Sequence, residues 1–404
     1  MTKINKKKLE LAKNRRAIFE HFLQIEIEQG ATAARLAFLD RGIDRSPYQS
    51  ELTNYSSSLK QQPMGFRPYP QLGQLPMIHP EGLNFLHEEI KEACICLGNW
   101  TEGRIEGLWL GKNALHNTQF WSATKLIPVL NVISNIDSKY SNSLSDRWVI
   151  RDTETENDEN QLPFCQTIED IVTYQKSLGS SNALAAMFKR FETRPELERW
   201  LKTITGNWEL EFQGDYGEIP FIRYPEIYDT LNNRILLQAA PETPRGENLV
   251  SAYDLTRIIS MIGWHYHLIP ECRFPGITDK NLPCTITALG QDTGRFIDAA
   301  FKILGLENMI QSPVILSKIG HGPSNLRNTI ETTYMAFVQF IDPLPKSEGK
   351  PAKLRSLALT LRGAIPIPDL ENFDRESIRL DARIATEVTE IIRRIVTEEI
   401  SEIA

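Results

Sequence analysis

Short apolar runs bounded by polar turns mark the predicted strands of the chain. Residues 93–98 and 107–111 predict two antiparallel strands joined by a polar turn. Residues 313–317, 334–341 and 354–361 predict three more strands, far along the chain from the first two. The sequence therefore divides its strands between two distant parts of the chain.

Longer segments with apolar residues at helical spacing fill the ends and the middle of the chain. The predicted helices cover residues 6–30, 31–42, 80–94, 126–130, 167–179, 183–187, 248–264 and 374–400. Separated strands with helices between them predict an α+β fold, an α/β sandwich. We expect an antiparallel sheet packed by terminal helices, a separate helical half and an N-terminal helical extension.

The N-terminal extension has two parts of different composition. Residues 6–30 combine an apolar stripe with many charged residues, and an isolated helix of this kind is marginal in water. We expect it to pack on the main domain or across a subunit interface. Residues 43–80 are rich in Ser, Pro, Tyr and Gln, which favours an irregular, partly extended segment. The predicted units are therefore an extension, residues 1–79, and a main domain, residues 80–404.

Composition narrows the function classes. The chain is 41% hydrophobic and 24% charged, which is typical of a soluble globular protein, and its net charge of −7 gives no reason to expect nucleic-acid binding. No run of about 18 apolar residues predicts a membrane span. The Lys-rich start lacks the apolar segment of a signal peptide.

No spacing among the five cysteines suggests a zinc site, so we expect reduced thiols, no metal or cofactor, and a cytoplasmic location.

Three short motifs carry candidate chemistry. Ser122-Ala123-Thr124-Lys125 precedes an apolar helical run, and positions i and i+3 share a helix face. A serine hydroxyl needs a base to become a nucleophile, and a desolvated lysine can be that base. Ser180-Ser181-Asn182 and Lys318-Ile319-Gly320 follow later in the chain. Each motif alone also fits a surface helix, a helix cap or a strand end.

The three motifs together resemble a known set. Their order, Ser-x-x-Lys, Ser-x-Asn and Lys-x-Gly, resembles that of class A β-lactamases and penicillin-binding proteins. Residues 167–172, 320–322 and 326–328 resemble the segments that flank these motifs in that superfamily. The resemblance covers residues 80–404 and implies a β-lactamase/transpeptidase-like fold.

The resemblance also implies a role for each motif residue. Ser122 attacks a carbonyl and becomes an acyl-enzyme, while Lys125 takes or relays its proton. Ser180 passes a proton to the leaving group, and Asn182 holds Lys125 and the substrate amide. Lys318 supplies positive charge for an anionic substrate and for Ser180.

Substrate binding is implied for the end of the third motif and for residues beyond it. The backbone N–H groups of Ser122 and His321 form the oxyanion hole, which stabilises the charge that develops during reaction. Gly320 lies beside the substrate, and the resemblance puts the His321 side chain near the pocket. Arg327 pairs with a substrate carboxylate in a bidentate way; its alternative is a surface ion pair.

Two departures from the family pattern affect the expected activity. Ile319 replaces the hydroxyl residue that helps to bind a substrate carboxylate. A loose alignment of residues 236–241 puts Asn233 at the place of the water-activating glutamate, although three glutamates remain alternatives: Glu218, Glu226 and Glu242. We therefore expect a serine hydrolase or acyltransferase that acts on an amide or ester and is not an efficient β-lactamase. The alternative is a non-catalytic binding or assembly protein, with a homo-oligomer or protein partner bound through the extension.

Overall fold

The computed structural model describes most of the chain. The described residues are 8–28, 65–101, 103–154, 161–242, 245–310, 313–345, 352–368 and 373–400. The short helix predicted over residues 31–42 and most of the extended segment 43–80 lie outside them. Within these ranges, no helix combines the length and the apolar character that crossing a bilayer requires.

One large antiparallel sheet organises the fold. Its strands follow the order β1-β4-β3-β14-β13-β12, with β2 added in parallel to β4, and two small sheets lie elsewhere, ordered β10-β9-β6-β7 and β5-β11-β8. The strands are β1 (Arg67–Pro68), β2 (Ile78–His79), β3 (Ile90–Thr101), β4 (Arg104–Lys112), β5 (Thr118–Gln119), β6 (Trp148–Asp152), β7 (Leu162–Pro163), β8 (Glu211–Phe212), β9 (Pro225–Asp229), β10 (Arg234–Gln238), β11 (Asn248–Val250), β12 (Val314–Ser324), β13 (Thr329–Asp342) and β14 (Lys353–Pro366).

Helices cover both faces of this sheet. They are α1 (Arg15–Glu28), α2 (Leu126–Lys139), α3 (Phe164–Thr173), α4 (Ser181–Phe188), α5 (Arg194–Thr205), α6 (Ala252–Gly263), α7 (Pro283–Leu289), α8 (Phe296–Leu304) and α9 (Asp374–Val396). Short 3-10 turns cover Trp121–Lys125, Ser145–Arg147, Lys189–Phe191, His265–His267 and Pro270–Cys272. Local sequence explains several boundaries: Ser251 and Asp254 form a capping box at the start of α6, and Gly206 ends α5 in a left-handed conformation.

Two apolar cores lie on opposite faces of the large sheet. The first joins the sheet to the helical half, including α2 and α6. The second joins it to α8, α9 and the N-terminal helix α1. The predicted fold class is confirmed: an antiparallel sheet is packed by terminal helices on one face and by a helical half on the other. The predicted strands are also observed, each extended by a few residues.

The N-terminal helix packs on the C-terminal helix α9, one of the two alternatives expected from the sequence. Phe22 is buried in the second core, Arg15 forms an ion pair with Glu387, and the Arg383 guanidinium lies 4.0 Å from the centre of the Phe19 ring. The predicted helix over residues 6–30 is interrupted at residues 12–14. Asn14 accepts a hydrogen bond from Ala17 N, so α1 has its own start.

The helix predicted over residues 80–94 is wrong. Residues 80–89 form consecutive turns, and the chain is already extended from Ile90 in β3. Gly82 lies against Leu110, where an added Cβ would come within 2.8 Å of that side chain. Pairing of β3 with both β4 and β14 outweighs the helical spacing of the apolar residues, because sheet context overrides local propensity.

The expectation of reduced thiols is wrong for one pair of cysteines. Cys165 in α3 and Cys284 in α7 form a disulfide that closes a sequence separation of 119 residues. Cys94, Cys96 and Cys272 are free and buried. Sequence spacing gave no sign of this pair, because α3 and α7 meet only in the folded helical half.

The packing of α1 predicts a large effect from one core substitution. Phe22→Ala should lower the free energy of unfolding by about 3–5 kcal/mol, because it leaves a cavity between α1 and α9. Ile27→Ala, at an exposed position of the same helix, should change it by less than about 0.5 kcal/mol. Urea unfolding of both variants checks this. Equal stability of the two variants would contradict the observed packing.

The disulfide predicts both a thiol count and a stability difference. The protein unfolded without reductant should titrate three thiols, not five. The double variant Cys165→Ser/Cys284→Ser should lose about 2–5 kcal/mol of unfolding free energy, because a long loop in the unfolded chain is no longer constrained. Five titratable thiols in the protein isolated under oxidising conditions would show that the bond does not form.

Candidate active site

The serine of the first motif lies in a tight 3-10 turn that leads into α2. Trp121, immediately before Ser122, has a φ of 50°, a left-handed conformation that is uncommon for a residue other than glycine. Its Nε1 donates to Glu331 Oε2 at 2.9 Å. The hydrogen bond to the neighbouring strand β13 thus fixes the residue that precedes Ser122.

Strand β12 approaches this turn closely at Gly320. A Cβ added to Gly320 would lie 2.7 Å from Ser122 N and 2.8 Å from Trp121 Cβ. Only glycine leaves room for the backbone here. The third motif therefore approaches the first one closely at the backbone.

Lys125 is almost fully buried beneath the turn. Its Nζ donates to Ser181 Oγ at 3.0 Å and to Asn182 Oδ1 at 2.6 Å. Burial lowers the pKa of Lys125 to about 6, the charge of Lys318 adds to this effect, and Glu218 opposes it. No hydrogen bond between Lys125 and the Ser122 hydroxyl is observed within the described part of the chain. Above pH 6 the lysine is mostly neutral and has a lone pair with which to accept a proton.

The second motif begins helix α4 and divides its contacts between two sides. Ser180 is the N-cap and accepts from Ala183 N at 3.3 Å, while its hydroxyl donates to the Glu218 carboxylate. Ser181, which sequence reasoning passed over, contacts Lys125 instead and donates to Ile171 O at 2.8 Å. At the start of α4, Ser180 thus contacts Glu218, and the next residue, Ser181, contacts Lys125.

Lys318 reaches the same region from β12. It is fully buried, donates to Val172 O at 3.0 Å, and its Nζ lies 3.7 Å from the centre of the Tyr174 ring. Burial lowers the pKa of Lys318 to about 7, partly offset by Asp292. The charge of Lys318 in turn favours the neutral form of Lys125.

Tyr174 is the main residue that sequence reasoning missed. It follows α3 with a φ of 60°, and its hydroxyl donates to Ile319 O at 2.7 Å. The hydroxyl also hydrogen-bonds with the Ser122 side chain, and burial raises the pKa of Tyr174 far above its ordinary value. A neutral phenol thus lies between the serine and β12. No motif signalled it, because its position depends on how α3 ends.

Two of the three expected substrate-binding residues have other partners. The His321 ring lies on the face of β12 opposite Gly320, with Nδ1 2.8 Å from Thr332 Oγ1 and Nε2 3.3 Å from the Ser377 hydroxyl of α9. The expectation that this ring lies near the pocket is wrong, because adjacent strand residues point to opposite faces. Its backbone role stays a prediction.

Arg327 forms a bidentate ion pair within the protein. Its Nε and Nη2 donate to the Glu331 carboxylate at 2.6 and 2.9 Å. Glu331 is fully buried and also accepts from Arg362 at 2.7 Å. These partners hold the pKa of Glu331 below its ordinary value despite its burial.

The loose alignment around Asn233 is wrong. Asn233 lies in the turn between β9 and β10 with a φ of 46°, and its amide oxygen accepts from Tyr228 at 3.4 Å. Glu226 is occupied by Arg151 and by Gln238. Glu218, bonded to Ser180, is the member of the three alternatives that contacts a motif residue.

A short segment carries Glu218 to the motifs and is held from both sides. Tyr216 donates to Thr124 O at 3.2 Å, and Phe221 N donates to Ala183 O at 3.0 Å. Among the described residues, no group of three or more His, Cys, Asp or Glu side chains is arranged to hold a metal ion. The side chains gathered here are serine, lysine, tyrosine and carboxylate groups.

Comparisons with known proteins give matches among solved structures alone. No protein-family model matches the chain, and no curated protein sequence matches it. A solved β-lactamase from Desulfarculus baarsii is 15% identical over 75% of this chain and 92% of its own, with a TM-score of 0.41. One from Streptosporangium roseum is 12% identical over 78% and 98%, with a TM-score of 0.41, and one from Francisella tularensis is 13% identical over 77% and 95%, with a TM-score of 0.42.

The contact at Gly320 predicts a local effect on Ser122. Gly320→Ala should displace the 3-10 turn and lower the rate at which a reactive fluorophosphonate modifies Ser122 by more than tenfold, because the new Cβ would meet backbone atoms that cannot rotate away. Gly103→Ala is the control: its φ of 78° makes it strained, yet nothing lies within 4 Å of the added Cβ. A similar modification rate in both variants would contradict the role of Gly320.

Proposed function

We propose that the chain is a serine hydrolase or acyltransferase that forms an acyl-enzyme on Ser122. The observation that carries this proposal is the buried Lys125, whose pKa of about 6 leaves it neutral at physiological pH beside the serine turn. Helix packing alone does not require a buried lysine in contact with Ser181 and Asn182. A buried lysine with a lowered pKa is typical of a functional site.

The proposed reaction assigns each group one task. Lys125 takes the Ser122 proton, directly or through a water molecule, as the serine oxygen bonds to the substrate carbonyl carbon. The backbone N–H groups of Ser122 and His321 stabilise the oxyanion. When the carbonyl reforms, the leaving nitrogen or oxygen departs with the proton that Lys125 took from Ser122. Water or another nucleophile then releases the acyl group and restores the hydroxyl.

Four residues around the motifs complete this proposal. Ser181 and Asn182 hold the Lys125 amine, Tyr174 orients the Ser122 hydroxyl, and Glu218 holds Ser180. Glu218 is also the candidate base for activating the deacylating water, the task for which Asn233 was unsuited. The proposal includes poor activity on ordinary β-lactams, since Lys318 and Arg327 are engaged inside the protein.

One observation favours the non-catalytic alternative. The Ser122 hydroxyl is hydrogen-bonded to Tyr174, while Lys125 is bonded to Ser181 and Asn182. A protein that had kept the fold for binding alone would retain such an arrangement without reactivity. The Cys165–Cys284 disulfide counts against the expected cytoplasmic location, because disulfides are typical of oxidising compartments.

The direct test is covalent labelling of the full chain. A fluorophosphonate should modify Ser122, as located by peptide mass spectrometry, and Ser122→Ala should abolish the adduct. Ser141→Ala, at an exposed serine after α2, should label like the parent protein. A folded protein that no fluorophosphonate and no fluorescent penicillin modifies would support the binding alternative and refute the proposal.

The pKa of Lys125 predicts the pH profile of this labelling. The rate should rise with a midpoint at about pH 6 and then level off, because the amine can accept a proton only after it has lost its own. Lys125→Met, which keeps the volume without the amine, should slow labelling roughly 10²–10⁴-fold. A parent rate that keeps rising to pH 10 would show that Lys125 is an ordinary lysine and not the base.

A further inference from the structure

The lysine at the start of the third motif is not exposed to a ligand. The Lys318 ammonium is enclosed by Val172 O and by the face of the Tyr174 ring, with no exposed surface. The next side chain, Ile319, is buried in the core that faces α8 and α9. This strand therefore offers a substrate carboxylate neither an accessible ammonium nor a hydroxyl.

The second cation of the region is already paired. Both Arg327 donors that a substrate carboxylate would use are directed to the two oxygens of Glu331. Glu331 has no exposed surface and also accepts from Trp121, beside the serine. Releasing Arg327 to a substrate would leave a buried carboxylate short of a partner, which is costly.

An exposed negative charge contacts the second motif. Glu218 is exposed, and its carboxylate accepts from the Ser180 hydroxyl at the start of α4. Two apolar side chains follow it closely: Ile219 is 80% exposed and Phe221 is 45% exposed. The Phe221 ring lies against Gly179, where an added Cβ would come within 2.8 Å of it. A carboxylate and an aromatic ring thus occur together on the same side of the second motif.

We infer that the substrate of this site carries a positive charge on an apolar group, as in an alkylammonium ester or amide, with Glu218 as its counter-ion and Phe221 as its apolar contact. This inference rests on the proposed function and names its substrate class. An ammonium with attached methyl groups gains both from a carboxylate and from an aromatic face. An anionic substrate would be repelled by Glu218.

The test compares fluorophosphonates that differ only in the end of their alkyl group: trimethylammonium, the uncharged tert-butyl isostere, or carboxylate. We expect the cationic probe to label Ser122 roughly 5- to 10-fold faster than the neutral one and the anionic probe to be slowest. The cationic preference should shrink at 1 M salt, where exposed charges are screened.

Two variants assign the preference to Glu218. In Glu218→Gln the ratio of cationic to neutral labelling rates should fall towards one, whatever the effect on either rate alone. Glu10→Gln, near the N-terminal helix on the opposite face of the sheet, should keep the parent ratio. A ratio that survives Glu218→Gln, or a parent protein that prefers the neutral or anionic probe, would overturn the inference.

A binding measurement separates this inference from the proposed function. Ser122→Ala, which cannot be acylated, should bind a trimethylammonioethyl ester at least about fivefold more tightly than the 3,3-dimethylbutyl ester of the same acid, as measured by calorimetry. That result would support the substrate class even if no probe labelled the parent protein. Equal affinities would refute the substrate class while leaving serine acylation to the labelling result.

Discussion

The burial of Lys125 is the constraint on which the rest of the site depends. A lysine enclosed by protein must either find a counter-ion or lose its proton. Here its hydrogen-bond partners are a hydroxyl and an amide oxygen, and a second buried lysine lies close enough to disfavour its charge. The helical half supplies this enclosure by bringing the start of α4 against the turn before α2. The same enclosure that makes the ammonium unfavourable leaves an amine able to accept a proton beside Ser122.

The large sheet positions the serine against this enclosure. Gly320 allows β12 to approach the 3-10 turn, and Glu331 on β13 holds Trp121 in a left-handed conformation. Glu331 is itself held by Arg327 and Arg362. The ion pairs that anchor the turn therefore also engage these two arginines. The position of the serine turn and the pairing of Arg327 and Arg362 therefore have a common physical origin in Glu331.

Sequence periodicity predicted the sheet, its terminal helices and the helical half, because those elements have long apolar patterns. It failed at residues 80–89, where Gly82 approaches Leu110 and pairing of the next strand decides the structure. The three motifs named Ser122, Lys125 and Lys318, which the fold brings to one region. The spacing of residues did not predict the contacts of Tyr174, Ser181 and Glu218. These contacts depend on how α3 ends and on where the loop before β9 crosses α4. The disulfide was missed for the same reason, since α3 and α7 are distant in sequence.

The most direct test of this account is the pKa of Lys125 itself. Lysine side chains labelled with ¹⁵N can be followed by NMR during a pH titration, and the signal lost in Lys125→Arg identifies the residue. The account predicts that this amine titrates at about pH 6, far below the ordinary value of 10.5. A Lys125 signal that titrates near 10 would contradict it, because an ammonium that stays charged at neutral pH has no lone pair with which to accept the proton of Ser122.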